Sequence, residues 1–169
     1  MNRIFENYLS EKYLFMNRDE LLKICPDSTY ARWGLEINKG WYAIIERACL
    51  DISEILDKYA LPQDTFVLLQ CKQKWGKLRM YWKLSFEKSV AVIDFIGQGT
   101  VDFNDYSSPI KKEIKETIDK AYNEASKTCE FCGSTNESVS LRQGAWVYTL
   151  CGNCYQKRLQ KIAERKQNK

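Results

Sequence analysis

Four cysteines in the C-terminal quarter of the chain are the residues best suited to chemistry. They form two CxxC pairs, "CEFCG" and "CGNC", with 18 residues between the pairs. Two-residue spacing lets both sulfurs of a pair reach one ion, and an adjacent glycine permits the tight turn that this requires. Four thiolates without an imidazole predict one structural Zn²⁺ in a closed tetrahedral site, with no open position for catalysis. The predicted ligands are Cys129, Cys132, Cys151 and Cys154.

Other uses of cysteine fit this pattern less well. A redox CxxC needs only one pair, and iron–sulfur clusters usually show different spacing. The total of seven cysteines is odd, and the start of the chain lacks the layout of a signal peptide, so a disulfide framework is not expected. The remaining thiols, Cys25, Cys49 and Cys71, lie apart in the sequence and are predicted to be small buried hydrophobes.

The segments between and after the cysteine pairs must position the ligands. "SVSLRQGAWVYTL" predicts a hairpin that turns at Gln143 and Gly144, and "YQKRLQKIAERK" predicts a helix with Tyr155, Leu159 and Ile162 facing inward. A knuckle, a hairpin and then a helix indicate a treble-clef-like finger more than a ribbon-like one. The N-terminus of that helix favours the thiolate of Cys154.

A second group of functional candidates lies in "QCKQKWGKLRMYW", which predicts a half-buried hairpin with a two-residue turn at Trp75 and Gly76. The predicted cross-strand neighbours on its polar face are Lys74 with Lys77, Lys72 with Arg79, Gln70 with Tyr81, and Leu68 with Lys83. The predicted apolar face consists of Val67, Leu69, Cys71, Leu78, Met80, Trp82 and Leu84, with Gln73 as its one polar member.

The opposed positive charges of this hairpin suggest an anionic partner. Directly opposed like charges in a sheet cost on the order of a few tenths of a kcal/mol per pair, and a polyanion would offset that cost. Aromatic side chains among the cations offer a stacking surface for an unpaired base. The alternative is a solvated face, paired with acidic residues of the N-terminal helices, with Trp75 packed under the finger. The candidate binding residues are Lys72, Lys74, Trp75, Lys77, Arg79, Tyr81 and Lys83.

The C-terminal helix is a second basic element. Its cations are Lys157, Arg158, Lys161, Arg165, Lys166 and Lys169, against Glu164 alone. Terminal helices are often merely solvated, and cations near a helix C-terminus favour the dipole. Two basic surfaces beside a four-cysteine finger are nevertheless typical of a module that binds DNA, RNA or protein. We therefore add Lys157, Arg158 and Lys161 to the candidate binding residues.

The rest of the chain predicts an α+β fold, with a small antiparallel sheet packed on helices. N-terminal helices lead to a long helix over 41–59, the hairpin spans 66–85, and a helix spans 109–127 with Ser108 as N-cap. Between them, residues 85–106 suggest a second hairpin around "GQG", although the first half also fits a helix. We expect an α+β domain over 1–128 and the finger over 129–169. Trp33, Trp41 and Trp146 are predicted to lie in the core.

Composition argues against several function classes. The chain has no histidine, which removes the commonest general base, and no nucleotide-binding glycine loop or paired-acid motif occurs. An enzyme is therefore not expected. No apolar run approaches the ~20 residues of a membrane span, so we expect a soluble, intracellular protein. The net charge of +4 is modest, so the distribution of charge carries the argument for an anionic partner.

Several of these motifs together resemble a family of small proteins encoded by bacteriophages and prophages. The resemblance rests on "WGLEINKGWYAIIERACLDI", "LQCKQKWGKLRMYW", "ASKTCEFCG" and "WVYTLCGNC", which span residues 33–154. The matching positions are Gly40, Trp41, Gln70, Lys72, Lys74, Gly76, Leu78, Arg79, Tyr81 and the four paired cysteines. The segment after the hairpin is longer than the family pattern. The resemblance implies a phage gene product acting in a bacterial cytoplasm, and it implies no activity.

Two functions remain open. One is a non-enzymatic, zinc-binding accessory protein that binds nucleic acid through the basic hairpin and the C-terminal helix. The other is a protein that binds an acidic surface of a host complex and inhibits or redirects it, in transcription or in antiviral defence. An acidic protein and a phosphate backbone ask for the same lysines, so the sequence does not separate them.

Overall fold

The structure, a computed structural model, describes residues 3–86, 92–95, 99–102 and 108–167. In these ranges the protein has six α-helices and three two-stranded antiparallel sheets, which confirms the predicted α+β class. The helices are α1 (Arg3–Lys12), α2 (Arg18–Ile24), α3 (Thr29–Trp33), α4 (Tyr42–Lys58), α5 (Pro109–Ser126) and α6 (Gly152–Gln167). The strands are β1 (Phe66–Lys74), β2 (Lys77–Leu84), β3 (Val92–Phe95), β4 (Gly99–Asp102), β5 (Ser140–Arg142) and β6 (Tyr148–Leu150).

The main core lies between α4, α5 and the β1–β2 hairpin. Apolar residues at helical spacing bury one side of α4 and one side of α5, as the sequence predicts. Ser108 precedes the first residue of α5, Pro109, whose missing N–H is harmless at that position. The Tyr122 hydroxyl bonds both the N–H and the carbonyl of Met80, each at 2.9 Å, and so ties α5 to β2. None of the helices in the described ranges has the length and apolar character to cross a membrane.

The β1–β2 hairpin, called the main hairpin below, has the predicted register near its turn. Farther from the turn the register differs from the prediction. Lys74 pairs with Lys77, Lys72 with Arg79 and Gln70 with Tyr81. A bulge between Leu68 and Gln70 then shifts the register, so that Leu68 pairs with Trp82 and not with Lys83. The apolar face therefore carries Phe66 and Leu68 in place of the predicted Val67 and Leu69. Val67 pairs with Lys83 on the other face and is buried all the same.

A short helix that the sequence did not predict, α3, is bonded to the bulged strand through its N-cap residue, Ser28. The segment "CPDSTY" turns at Pro26 and Asp27 and leads directly into α3. The buried Ser28 hydroxyl accepts the N–H of Ala31 at 3.0 Å and donates to the Leu68 carbonyl at 2.8 Å. One side chain thus caps α3 and pairs a carbonyl of the bulged strand.

Of the three tryptophans predicted to lie in the core, one is buried and two are exposed. Trp41 is fully buried, which confirms its assignment. The other two assignments are wrong, because the side chain of Trp33 is 75% exposed and that of Trp146 is 69% exposed. Trp33 is the last residue of α3, and Trp146 lies in the loop between β5 and β6. Both positions leave the ring without a packed layer above it.

Residues after the main hairpin form the second hairpin that one interpretation favoured. β3 pairs with β4 in antiparallel register, from Val92 with Asp102 to Phe95 with Gly99. The rest of the predicted segment, residues 87–91, 96–98 and 103–106, lies outside the described residues. The prediction for the three isolated thiols is also confirmed, since Cys25, Cys49 and Cys71 are all buried.

Candidate metal centre and the surface beside it

The four paired cysteines meet at one point. The sulfurs of Cys129, Cys132, Cys151 and Cys154 all lie within 4.8 Å of one another. The Cys132 and Cys151 sulfurs are 3.7 Å apart, too far for a disulfide. Zn–S bonds of about 2.3 Å in a tetrahedron separate two sulfurs by about 3.8 Å, so the spacing fits one zinc ion. The cluster can hold a single metal ion with four sulfur ligands.

The first cysteine pair sits on a tight turn. The N–H of Gly133 bonds the Cys129 carbonyl at 2.8 Å, and the N–H of Cys129 bonds the Ser134 carbonyl at 2.8 Å. Gly133 has a φ of +78°, a left-handed conformation that glycine adopts at little cost. These bonds turn the Cys132 side chain back towards that of Cys129.

The second pair lies where β6 ends and α6 begins. The N–H of Cys154 points at the Cys151 sulfur, at 3.5 Å, and lowers the pKa of that thiol to about 7. Removal from water raises the pKa of Cys154, which opposes the stabilisation expected from the helix N-terminus. A bound cation would lower the pKa of all four thiols, because metal binding displaces their protons.

A buried carboxylate beside the cluster joins the finger, residues 129–167, to the rest of the protein. Glu130 is fully buried, and its carboxylate accepts the N–H of Thr149 at 2.8 Å and the side-chain amide of Asn38 at 2.7 Å. The side-chain amide of Gln73 donates to the same carboxylate at 3.3 Å. Burial raises the pKa of Glu130. Three separate segments of chain therefore meet at one side chain.

The segment before α4 contacts the first cysteine pair through its backbone. The N–H of Gly40 bonds the Glu130 carbonyl at 2.9 Å, and a Cβ at Gly40 would lie 2.7 Å from that oxygen. The same Cβ would overlap the carbonyl oxygen of Cys129. The indole N–H of the buried Trp41 donates to the Thr128 carbonyl at 2.9 Å. The Gly-Trp pair is thus a docking site for the start of the finger.

The turn of the main hairpin contacts the β5–β6 hairpin, which is the small hairpin of the finger. The Thr149 hydroxyl donates to the Gly76 carbonyl, and the Gln73 amide donates to the Val147 carbonyl, both at 2.6 Å. Gly76 has a φ of +73°, and a Cβ there would lie 3.2 Å from the Tyr148 backbone carbon. Glycine is therefore needed at the turn both for its conformation and for the close approach of β6.

Aromatic side chains lie exposed next to this junction. Trp75, with a φ of +56°, precedes Gly76, and its side chain is 51% exposed. Trp146 precedes Val147 in the loop of residues 143–147, which is longer than the predicted turn at Gln143 and Gly144. One alternative placed Trp75 packed under the finger. Its 51% exposure contradicts that alternative. We call the exposed residues Trp75, Leu141 and Trp146 the tip surface.

The predicted basic face of the main hairpin is present, and it has local partners as well. The side chains of Lys72, Lys74, Arg79, Tyr81 and Lys83 are half-buried, and that of Lys77 is exposed. The Lys72 ammonium lies 5.4 Å from the centre of the Tyr81 ring. Glu36 forms a single bridge with the edge of β1, and its carboxylate accepts the side-chain amide of Gln70 at 2.8 Å. The cross-strand cation pairs persist beside this acid.

The C-terminal helix differs from its prediction. None of its side chains is fully buried, and Leu159 and Ile162, expected to face inward, are exposed. Tyr155, the third residue expected to face inward, is half-buried and packs on the buried cluster of Cys129, Leu150 and Cys151. Arg158 stacks over Tyr148, 4.3 Å from the ring centre. Lys157 and Lys161 instead line a cleft with Lys39 and Phe131, to which none of the cations of the main hairpin contributes. The two predicted basic elements are therefore separate surfaces.

Two polar residues at the junction were not assigned a role from the sequence. Gln73 stood out as the one polar residue on an apolar face, and that signal marks the amide that bonds Glu130 and Val147. Glu130 carries no comparable signal, because a carboxylate between two cysteines of a knuckle is ordinarily solvated. Only the packing of three distant segments buries it.

Comparison of the chain with models of protein families, with curated proteins and with solved structures finds no match in any of the three.

Proposed function

We propose that the protein is a non-enzymatic, zinc-stabilised module that binds single-stranded nucleic acid at the tip surface. The observation that carries the proposal is the junction of two hairpin ends, each of which presents an exposed tryptophan. Trp75 and Trp146 each adjoin a residue that bonds across the junction. The zinc ion, held by the four cysteines, would fix the small hairpin in this position.

The composition of the surface favours nucleic acid over a purely apolar partner. Lys74 and Lys77 flank Trp75 in the sequence and oppose each other across the turn. Stacking on an aromatic ring contributes about 1–3 kcal/mol per base and tolerates any sequence, and nearby cations hold the phosphates. Duplex bases are already stacked, so exposed rings of this kind favour an unpaired strand.

The backbone of Trp75 supports a binding role. A residue other than glycine with positive φ costs on the order of 1 kcal/mol, and such strain persists where the surroundings over-determine it. The Trp75 ring is 51% exposed, so it offers a face on which an incoming base would stack. The resemblance of the sequence to a family of phage and prophage proteins is consistent with a role beside nucleic acid in a bacterial cell.

The test is fluorescence anisotropy of a labelled single-stranded oligonucleotide, titrated with zinc-loaded protein at several salt concentrations. We expect Trp75→Ala and Trp146→Ala each to weaken binding about tenfold, since each removes one stacking platform. Lys77→Gln should reduce the dependence on salt by about one counterion. The matched control is Trp33→Ala, which removes another exposed tryptophan, on α3, and should leave binding unchanged.

Two results would overturn the proposal. One is an absence of binding at low salt, which would assign the tip surface to a protein partner. The other is an equal loss of affinity in Trp33→Ala and Trp75→Ala, which would mean that binding does not depend on the junction. Far-ultraviolet circular dichroism and zinc content verify that each variant is folded.

A further inference from the structure

A cleft of about 900 Å³ lies between α1 and the start of the finger, away from the tip surface. Its walls are largely apolar, and the side chains that line it include Ile4, Phe5, Tyr8, Tyr42 and Phe131. The rings of Phe5 and Tyr42 stack at 4.1 Å and are nearly parallel, so one wall is preformed. Ile4 is 88% exposed at the rim. Concave, largely apolar surfaces of this volume are typical places for a ligand or a partner to bind.

The cleft continues along α6, where a second hollow of about 550 Å³ shares Lys39, Phe131 and Lys161 with the first. Ile162 adds an apolar side chain there. Leu159 and Ile162 lie three residues apart and form a short apolar stripe along the helix. Leu159 is 41% exposed and Ile162 is 40% exposed, so the described part of the chain leaves this stripe partly open to solvent.

The cations that line the two hollows are Lys39, Lys157, Arg158, Lys161 and Arg165, and no carboxylate among the described residues lines either one. The second hollow also borders Cys132 and Cys154, whose negative charge as metal ligands would offset part of this positive charge. A partner that fills the cleft must therefore bury apolar side chains and present acidic groups at the rim. A second copy of this chain fits poorly, because the apolar stripe of its own α6 is flanked by cations that would meet cations.

We propose that this cleft binds an amphipathic helix of an acidic partner protein. The apolar side of such a helix, with anchors at i, i+3, i+4 and i+7, would lie against Ile4, Phe131 and Ile162. Acidic residues beside the anchors would meet Lys39, Lys161 and Arg165. This site is separate from the tip surface, so the protein has one surface for nucleic acid and another for a protein partner.

The experiment is a selection on a displayed library of helical peptides. Apolar residues are fixed at i, i+3, i+4 and i+7, and the flanking positions are randomised. We expect enrichment of Asp and Glu at the flanking positions. An enriched peptide, made synthetically and labelled, should then bind the full chain about tenfold more weakly after Ile162→Gln or Ile4→Gln, as expected when one apolar contact is lost. The matched control is Leu50→Gln, an exposed leucine on α4 that does not line the cleft.

Several outcomes would overturn the inference. The library could give no enrichment, or it could enrich Lys and Arg. The selected peptide could bind Ile162→Gln as well as it binds the unaltered chain. Sedimentation could show a dimer that Ile4→Gln abolishes, which would assign the cleft to a second copy. Displacement of the peptide by an oligonucleotide, together with weaker oligonucleotide binding in Ile162→Gln, would assign it to nucleic acid.

Discussion

The two sides of the finger are held in opposite ways. On the anchored side, residues 129–133 and β6 contact the rest of the protein through backbone groups and the buried Glu130. On the exposed side, α6 leaves the metal site with no fully buried side chain, and its Leu159 and Ile162 are 41% and 40% exposed. The comparison indicates a division of labour. The anchored side fixes the position of the metal site and the tip surface, whereas the exposed side is the one to which we assign the proposed partner helix.

The anchored side depends on contacts that tolerate little change in shape. Two glycines, Gly40 and Gly76, lie where another backbone passes too closely for a side chain. The bonds across this interface involve carbonyls and amides that burial would leave unsatisfied if the two parts separated only slightly. The exposed side has no such constraint, so substitutions there should act on binding and not on folding.

The largest effect should follow loss of a ligand on the anchored side. Cys129→Ser removes one of four thiolates, and structural zinc in small domains contributes on the order of 10 kcal/mol of apparent binding free energy. We expect loss of bound zinc, measured by inductively coupled plasma mass spectrometry, and loss of hydrogen-exchange protection at Thr149. Protection in α4 and in β2 should persist. The matched control is Cys25→Ser, a buried thiol outside the cluster, which should keep a full complement of zinc.

Retention of one zinc ion per chain in Cys129→Ser, with unchanged protection of Thr149, would refute a structural four-cysteine site. It would also remove the basis for the comparison, since the anchored side would not need the metal.

An intermediate effect is expected at the backbone contact. Gly40→Ala places a methyl group against the carbonyls of Cys129 and Glu130, and overpacking of this kind typically costs about 1–3 kcal/mol. Gly144→Ala is the matched control, because a Cβ there meets only one atom, at 3.7 Å. Thermal unfolding should show a lower midpoint for Gly40→Ala alone. Equal midpoints for the two variants would contradict a tight contact between the Gly-Trp segment and the finger.

The smallest effect should occur on the exposed side. Leu159→Gln replaces an apolar side chain that touches no core, so the free energy of unfolding should change by less than about 0.5 kcal/mol. Chemical denaturation monitored by tryptophan fluorescence measures this change. A loss comparable to that of Gly40→Ala would show that α6 packs on the protein in solution, and the two sides of the finger would then not differ.

The sequence predicted local features well. The cysteine spacing identified the metal cluster, helical periodicity identified α4 and α5, and alternation gave the cross-strand pairs nearest the turn of the main hairpin. Each of these depends on residues close together in the chain, where spacing translates directly into geometry. The bulge near Leu68 was missed because alternation alone assumes an uninterrupted ladder.

Features that depend on distant segments were not predictable from pattern. Trp33 and Trp146 have the composition of core residues and lie exposed, because burial depends on whether another layer covers them. Of the inward stripe predicted for α6, Tyr155 packs on the finger, whereas Leu159 and Ile162 are exposed. Hydrophobic periodicity locates the face that seeks a partner, and it does not say whether the partner belongs to the same chain.

The burial of Glu130 bears on how the protein can be divided experimentally. Zinc fingers are commonly moved between proteins as self-contained units, yet here the carboxylate between two ligands takes two of its hydrogen bonds from Asn38 and Gln73. A fragment that begins near residue 129 would leave the Glu130 carboxylate without these donors. It would also leave the Glu130 backbone carbonyl without its hydrogen bond from the Gly40 N–H. Such a finger is not portable, and a chimera would have to carry the Gly-Trp segment and the turn of the main hairpin with it.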